Sequence, residues 1–395
     1  SHISEHPHVL DAVLTDEFMA APGDKKNLRR DLSFDLDDAI DFQDVLDGAR
    51  RWLSEIRLRL SVQTLETRLA PIVAAGILSD AADVVAERML MGVQAEFEAI
   101  HGVIKRGAYG VLAYGKWGSR ELTIGSDLDL VTIYQAPDGA ESDGARPLAS
   151  AVYYMRLTQR LITALSAQTG EGRLFEVDMR LRPTGDDGPI ATHIDALARY
   201  LTEDAWTWEL MALTRARFAV GDSALADRFD AVRACIMSKP REQETHLSVV
   251  ANMRLRIESA KGAGSPWDVK LRQGGMVDAE FIGQGLALLY GGASSIQAAR
   301  APTEIFSALT TLSGMDDDRA AVLSDAASFW FSCQWFMRLL GQIDSEDTNP
   351  ANDRLRAEMA TALGYNDVFA LESARDTLAA SVSAAYLETY SVANE

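Results

Sequence analysis

The sequence predicts an α+β protein, mostly α overall, in which a small mixed β-sheet is flanked by helical regions. Short apolar runs typical of strands occur between about residues 109 and 179, and apolar residues recur at helical spacing on both sides of that stretch. Because strands and helices are segregated along the chain, the pattern favours an α+β core over a regularly alternating α/β sheet.

The first part of the chain is predicted to consist of helices. Apolar residues such as Val45 and Leu53 recur at helical spacing from about residue 38 to 103. Ser79 is of a residue type that caps helices, and we expect it to begin a helix over residues 82–100.

The central part is predicted to form the sheet, with a helix over residues 149–167. Strands are expected at 109–114, 128–134 and 173–179. From about Asp195 onward almost everything has helical period. We therefore predict three parts: a helical lead-in over 1–104, a core with the sheet over 105–222 and a C-terminal helical bundle over 223–395.

The composition argues against several classes of partner. Lys and Arg number 38 against 58 Asp and Glu, which gives a net charge of −20 and disfavours nucleic acid, because phosphate contacts require basic residues. The longest apolar runs fall far short of the roughly eighteen residues that cross a bilayer, so no membrane partner is expected. The two cysteines cannot build a disulfide framework, and the polar N-terminus does not read as a signal peptide, so a cytoplasmic location is predicted.

The most informative stretch is residues 114–134, YGKWGSRELTIGSDLDLVTIY. A predicted strand ends in the glycine turn 115–119, and Gly125-Ser126 leads into Asp127 and Asp129 at the start of the next strand. Side chains alternate along a strand, so the two carboxylates point to one face and repel each other unless a cation lies between them. Oxygen ligands suit Mg²⁺, and glycines allow a backbone to approach phosphates closely.

An Asp-x-Asp pair is a weak signal when it stands alone. Asp35 and Asp37 form another such pair, but no strand or glycine turn precedes them. They lie where a helix is expected to begin, and acidic residues are favourable at a helix start. Only Asp127 and Asp129 therefore predict a metal site.

A third carboxylate, Asp178, lies in the segment EVDMRLRP over residues 176–183. It is predicted to sit in a strand between apolar neighbours, where an unpaired aspartate is costly. One explanation is a salt bridge to Arg180 or Arg182. The other makes Asp178 a third metal ligand and places both arginines near a triphosphate, whose oxygens suit the planar guanidinium.

These motifs resemble the glutamine synthetase adenylyltransferase family, within the nucleotidyltransferase superfamily that includes DNA polymerase beta. The matching segments follow one another from about residue 105 to 290: YGKWGSREL with SDLDLV, EVDMRLRPTGDDGP, AWTWELMALTRARFAVGD and WDVKLRQGGMVDAEFIGQ. The resemblance implies that residues 105–222 are a nucleotidyltransferase catalytic core.

The resemblance also implies ATP as substrate and two Mg²⁺ ions. Asp127 and Asp129 would bind both ions, and Asp178 would bind the ion beside the nucleophile. The implied nucleotide-binding residues are Gly115, Lys116, Gly118, Ser119, Gly125, Ser126, Arg180 and Arg182. The superfamily spacing from the turn to Asp127 fits Gly115-Lys116 better than Gly118-Ser119, but Lys116 then occupies a position where serine is usual, so either pair remains a candidate for the phosphate contact.

Enzymes of this family carry two related halves. One attaches AMP from ATP to a tyrosine of glutamine synthetase, and the other removes it by phosphorolysis, in the control of nitrogen assimilation. Only one such unit is present here, and residues 114–116 and 206–209 resemble the C-terminal, adenylylating half. The implied partners are glutamine synthetase, the PII signalling protein and the other half. The alternatives are the deadenylylating half and a catalytically idle docking module.

Three further groups of residues carry weaker expectations. At least one of Trp206 and Trp208 is expected to pack in a core. Arg215 and Arg217 are expected near a helix end, where they would meet the helix dipole, a phosphate or an acidic partner. The cluster of Lys270, Asp278 and Glu280 is expected to form buried ion pairs, with a regulatory site as the alternative.

Overall fold

A computed structural model describes residues 20–262, 264–341 and 350–391, and these residues form an α+β fold in which helices predominate. The predicted fold class is confirmed. The chain divides into two compact units: unit 1 comprises Ser1–Tyr200 with Arg217–Asp230, and unit 2 comprises Leu201–Ala216 with Ala231–Glu395. The three-part domain division stays a prediction.

Unit 1 begins with three helices and then forms the sheet. The helices are α1 (Lys25–Asp35), α2 (Phe42–Leu65) and α3 (Pro71–His101), and two later ones are the short α4 (Gly115–Gly118) and α5 (Ser150–Ser166). The strands are β1 (Ala108–Ala113), β2 (Leu128–Gln135), β3 (Val177–Asp178), β4 (Ala191–His193) and β5 (Arg217–Gly221). α6 (Ile194–Glu203) and α8 (Ser223–Met237) each contain a division point between the units.

The five strands form one mixed sheet with the order β3-β2-β1-β5, and β4 also pairs with β2. β1 runs antiparallel to β2 and β5, whereas β2 runs parallel to β3 and β4. The apolar residues of β1 and β2 are almost all buried, as their unbroken apolar runs indicate. The first two predicted strands are therefore confirmed within one residue at each end.

The sequence failed to predict the shorter strands. The expected third strand is reduced to the two residues of β3, β4 falls where no element was predicted, and β5 falls in the stretch that was predicted to be helical. Arg217 opens β5 and does not lie at a helix end. These strands are too short to show a period of two, and each is defined by pairing with β1 or β2 from far along the chain.

Two predictions in the helical lead-in are wrong. α3 begins at Pro71, at a position where the missing proline N–H costs nothing, and Ser79 lies buried inside it, donating its hydroxyl to the Ala75 carbonyl at 2.8 Å. Asp35 is the last residue of α1, and Asp37 follows it in a turn, so neither lies at a helix start.

The described part of unit 2 is helical. Its helices are α7 (Thr207–Thr214), α9 (Gln243–Lys261), α10 (Met276–Leu289), α11 (Ser294–Ala298), α12 (Pro302–Thr311), α13 (Asp317–Leu340), α14 (Pro350–Ala362) and α15 (Val368–Ser391). Trp206 and Trp208 are 69% and 43% exposed, so the expectation that one of them packs in a core is wrong. No helix in the described part of the chain combines the length and apolar character that a bilayer span requires.

Buried ion pairs brace unit 2 from within, and two of the expected residues take part. Arg215 Nη1 lies 2.7 Å from Glu280 Oε1. Asp278, in the first turn of α10, accepts hydrogen bonds from Arg254 Nε at 2.5 Å and from the Gly274 amide at 2.6 Å. Asp278 thereby fastens the loop before α10 to α9.

We expect Asp278→Asn to destabilise the protein by about 3–5 kcal/mol, because it removes the carboxylate that contacts the buried Arg254 guanidinium most closely and leaves Glu258, at 3.7 Å, as its remaining acidic partner. Urea unfolding measures this loss. Asp376→Asn is the matched control: its carboxylate pairs with Arg272 and Arg375 but is 57% exposed, so a loss of at most about 1 kcal/mol is expected. Equal losses in the two variants would contradict the assigned role.

Candidate active site

The pairing of β2 with β3 brings three carboxylates together. Asp129 on β2 lies directly opposite Asp178 on β3 in the parallel register, and Asp127 precedes β2 on the same face as Asp129. Leu128 and Leu130 alternate with them and are buried on the other face. The alternation along β2 that the sequence predicts therefore places Asp127 and Asp129 on one face of the sheet. The pairing of β2 with β3 brings Asp178 beside them.

The three aspartates each offer a carboxylate oxygen, and these oxygens all lie within 4.8 Å of one another. Asp127 is exposed, and Asp129 and Asp178 are half-buried. Among the described residues, no other set of three or more His, Cys, Asp or Glu side chains has such spacing. A set of carboxylate donors alone fits a hard cation such as Mg²⁺ rather than zinc, which prefers nitrogen and sulfur.

Arg180 brings a positive charge into contact with this cluster. Its Nε lies 2.8 Å and 3.0 Å from the two oxygens of Asp178, and its Nη2 also contacts that carboxylate. The hydrogen bonds from Arg180 hold the pKa of Asp178 below its usual value. Asp178 in turn raises the pKa of Arg180, and the charges of Asp127 and Asp129 add to this effect. The salt bridge considered from the sequence is thus present, alongside the cluster.

Arg182 is directed elsewhere. Its guanidinium is largely buried and donates to the carbonyls of Met179, Asp186 and Gly188 at 2.9–3.2 Å, which closes the loop between β3 and β4. Arg180, by contrast, has a side chain that is 75% exposed. The two arginines that the sequence treats alike therefore occupy different environments.

The glycine turn after β1 lies directly against Asp129. The Tyr114 amide donates to the Asp129 carbonyl at 2.9 Å, and Gly115 follows with a φ of +51°. A Cβ added to Gly115 would lie 2.0 Å from Asp129 Oδ2. Only glycine therefore allows the turn and this carboxylate to lie so close.

The second part of the turn, Gly118 and Ser119, makes hydrogen bonds within the turn itself. The amides of Gly118 and Ser119 donate to the carbonyls of Tyr114 and Gly115 at 2.8 and 3.2 Å. The buried Ser119 hydroxyl donates to the Glu121 carboxylate at 2.5 Å. Of the two predicted contact positions, Gly115 and Lys116 are the ones next to Asp129.

Gly125 and Ser126 shape the approach to β2. Gly125 has a φ of +72°, in the region that favours glycine. The buried Ser126 hydroxyl lies 2.8 Å from that of Thr123 and accepts from the Thr123 amide at 3.1 Å. Both residues hold Asp127 in place through the backbone.

Sequence reasoning missed the support beneath the turn. The ring of Trp117 is fully buried, and its Nε1 donates to Asp83 of α3 at 2.8 Å. Arg217 of β5 also pairs with Asp83. The available signal was an aspartate within the apolar segment AADVVAERML, where a buried charge requires partners.

A family model described as glutamate-ammonia ligase adenylyltransferase matches residues 1–232. That match spans more than half of the chain and includes the three aspartates, the glycine turn and the whole sheet. The chain belongs to this family.

Relatives from several bacteria support the same assignment. A protein of Mesorhizobium japonicum is 43% identical over 308 residues, which are 78% of this chain and 31% of the relative. One of Brucella suis is 44% identical over 71% of this chain and 29% of the relative, and one of Xanthobacter autotrophicus is 35% identical over 94% and 38%. Each is named a bifunctional glutamine synthetase adenylyltransferase/adenylyl-removing enzyme. The chain thus spans between 29% and 38% of the length of these relatives.

We expect Gly115→Ala to weaken the binding of Mg²⁺ or Mn²⁺ at least about tenfold, because the new Cβ would displace the Asp129 carboxylate. Calorimetric titration with Mn²⁺ measures this change. Gly139→Ala is the control, since Gly139 also has a positive φ, of +67°, but nothing lies within 4 Å of an added Cβ. If both variants bind Mn²⁺ like the wild type, the close approach of the turn to Asp129 has no role in the site.

We expect Arg180→Gln to raise the pKa of Asp178, because it removes the contact that chiefly lowers it. A carboxylate with a lowered pKa stabilises the fold above its usual pKa of 3.8, and that contribution is lost as the pH falls through the lowered value. The variant should lose this contribution at neutral pH, which carboxyl ¹³C NMR and pH-dependent unfolding measure.

The control for this variant is Arg173→Gln, which breaks the exposed pair between Arg173 and Glu176 in the same segment. It should leave the titration of Asp178 unchanged. An unchanged Asp178 titration in Arg180→Gln itself would show that the guanidinium does not govern this carboxylate.

Proposed function

We propose that this chain transfers AMP from ATP to a tyrosine hydroxyl of glutamine synthetase and releases pyrophosphate, in the control of nitrogen assimilation. The observation that carries the proposal is the convergence of Asp127, Asp129 and Asp178 within 4.8 Å in a member of this family. Three mutually repelling carboxylates have no evident structural use at this place, which argues against a catalytically idle docking module.

The three aspartates would hold two Mg²⁺ ions, with Asp127 and Asp129 shared between them and Asp178 on the ion beside the nucleophile. The donor set fits this role because it consists of carboxylate oxygens that are partly open to solvent. Bound ions of this kind neutralise phosphate charge and stabilise both the attacking and the leaving oxygen in a displacement at phosphorus.

The residues beside the aspartates would hold the nucleotide. We assign the phosphate contact of the turn to Gly115 and Lys116, because Gly115 borders Asp129. Arg180 pairs with Asp178 in this structure, and it would meet the phosphates with its planar guanidinium once a cation balances that carboxylate. Gly118, Ser119, Gly125, Ser126 and Arg182 would act by shaping the backbone of the turn and of the neighbouring loops.

In the proposed reaction the tyrosine oxygen attacks the α-phosphorus of ATP. A new O–P bond forms, the bond between the α-phosphorus and the bridging oxygen breaks, and pyrophosphate leaves with the electron pair. The hydroxyl proton passes to a carboxylate oxygen of Asp178. Tyrosine has a pKa of about 10 in water, so an adjacent acceptor is needed at neutral pH.

A second candidate is the reverse type of reaction, in which phosphate attacks AMP-tyrosine and ADP is released. It is favoured by the names of the relatives, which include adenylyl removal. The same three carboxylates can serve both reactions. The adenylylating direction is preferred here because residues 114–116 and 206–209 resemble the adenylylating half of the family.

The proposed partners follow from the same assignment. Glutamine synthetase would be the protein substrate, and the PII signalling protein and the other half of the enzyme would regulate this unit in the cytoplasm. A nucleic acid is not a proposed partner, since the net charge of −20 opposes the approach of a phosphate backbone.

We expect the chain to incorporate AMP from α-labelled ATP into unmodified glutamine synthetase in the presence of Mg²⁺. Asp127→Asn, Asp129→Asn and Asp178→Asn should each lower the rate by roughly a hundredfold or more, and chelation of the metal should abolish it. Labelled glutamine synthetase on a gel provides the measurement.

Asp138→Asn serves as the control, because Asp138 is an exposed aspartate in the loop after β2 and should not affect the rate. Release of ADP from modified glutamine synthetase and phosphate, without incorporation of AMP, would favour the second candidate. A protein that binds no Mg²⁺–ATP and catalyses neither reaction would be the idle docking module.

A further inference from the structure

A buried carboxylate beneath the glycine turn has no part in the chemistry described above. Asp83 lies in the middle of α3 with only 1% of its side chain exposed. It accepts from Lys25 Nζ at 2.7 Å, from Trp117 Nε1 at 2.8 Å, and from two nitrogens of Arg217 at 2.8 and 2.9 Å. One side chain thus links α1, α3, the glycine turn and β5, all within unit 1.

Trp117 connects this carboxylate to the turn. An indole has a single N–H donor, and that of Trp117 is directed at Asp83, so the orientation of the fully buried ring is fixed. Arg217 also donates to the Trp117 carbonyl at 3.2 Å, and its guanidinium lies 6.0 Å from the ring centre. Both the ring and the backbone of Trp117 are therefore held by the same ion pair.

The backbone of the turn links Trp117 to the candidate site. Hydrogen bonds from Gly118 to Tyr114 and from Ser119 to Gly115 close the turn around Trp117. A movement of Trp117 therefore moves Gly115, which lies against the Asp129 carboxylate. Two neighbouring residues of α3 hold the end of the same segment: Asp80 pairs with Arg120 at 2.6 Å, and the Ser79 hydroxyl accepts from the Leu122 amide at 3.3 Å.

We propose that Asp83 is a positioning residue for nucleotide binding, which acts through Trp117 to set the place of the glycine turn relative to Asp129. The inference rests on the proposed function, in which the turn contacts the phosphates of ATP. Asp83 touches neither the nucleotide nor the three aspartates in this scheme. Its expected effect is on nucleotide affinity.

Asp83→Asn and Trp117→Phe test the proposal in the full chain. The first removes the charge while keeping the side-chain shape, and the second removes the N–H donor while keeping a buried aromatic ring. Both variants should bind a non-hydrolysable ATP analogue with Mg²⁺ about tenfold more weakly than the wild type, measured by calorimetry. If Asp83 acts through Trp117, the variant that carries both substitutions should bind the analogue no more weakly than the single variant with the lower affinity.

Two controls separate positioning from general stability. Glu87→Gln removes a carboxylate one turn further along α3, which pairs with Arg29 of α1 at 2.7 Å but does not contact the turn. Leu53→Ala removes a fully buried side chain of α2 and should lower the melting temperature at least as much as Trp117→Phe. Both controls should bind the analogue with wild-type affinity.

The proposal is overturned if a folded Asp83→Asn or Trp117→Phe binds the analogue like the wild type. It is also overturned if affinity falls in Leu53→Ala to the same extent, since the effect would then follow stability alone. Should Asp83→Asn not fold, Trp117→Phe decides. A wild-type chain that fails to bind the analogue contradicts the proposed function itself, whereas wild-type binding with unaffected variants contradicts only the role of Asp83.

Discussion

Three carboxylates that repel one another are held together by the backbone, and the arrangement of unit 1 depends on this constraint. The parallel register of β2 and β3 fixes Asp129 opposite Asp178, and the alternation along β2 brings Asp127 to the same face. Side-chain rotation alone could relieve the repulsion in a mobile loop, but strand pairing limits how far the groups can separate. The charge must therefore be balanced from outside the sheet, by Arg180 in this structure and by a cation in the proposed reaction.

The residues that could be predicted from the sequence are those defined by local pattern. Asp127 and Asp129 follow from a strand start after a glycine turn, and Asp178 follows from an aspartate between apolar neighbours. The long strands β1 and β2 were predicted for the same reason, because their apolar runs are continuous. β4 and β5 were not, since so short a strand is recognisable only by its partner.

Residues whose role depends on distant partners escaped sequence reasoning. Arg180 and Arg182 are two positions apart in one motif, yet one faces the carboxylates and the other closes its own loop. Asp83 is 34 residues from Trp117 and 134 from Arg217, so no local pattern relates them. The lead-in helices illustrate the same point: α3 carries Ser79, Asp80 and Asp83 against the segment from the turn to Leu122 and so belongs to the support of the site.

On the proposed function, the carboxylates cannot determine the direction of the reaction. Transfer and removal of AMP both proceed by attack on the same phosphorus, so a site that accelerates one also accelerates its reversal. In the transfer reaction AMP comes from ATP, where it is joined to pyrophosphate. In the removal reaction AMP leaves in ADP, where it is joined to a single phosphate. Discrimination must therefore come from groups that contact oxygens beyond the α-phosphate. Arg182 is committed to its own loop, whereas Arg180 contacts Asp178 and Lys116 belongs to the turn, so these two residues are the candidates for that contact. The position of the turn, which Trp117 and Asp83 fix from below, would then decide how much of the phosphate chain these two residues can hold.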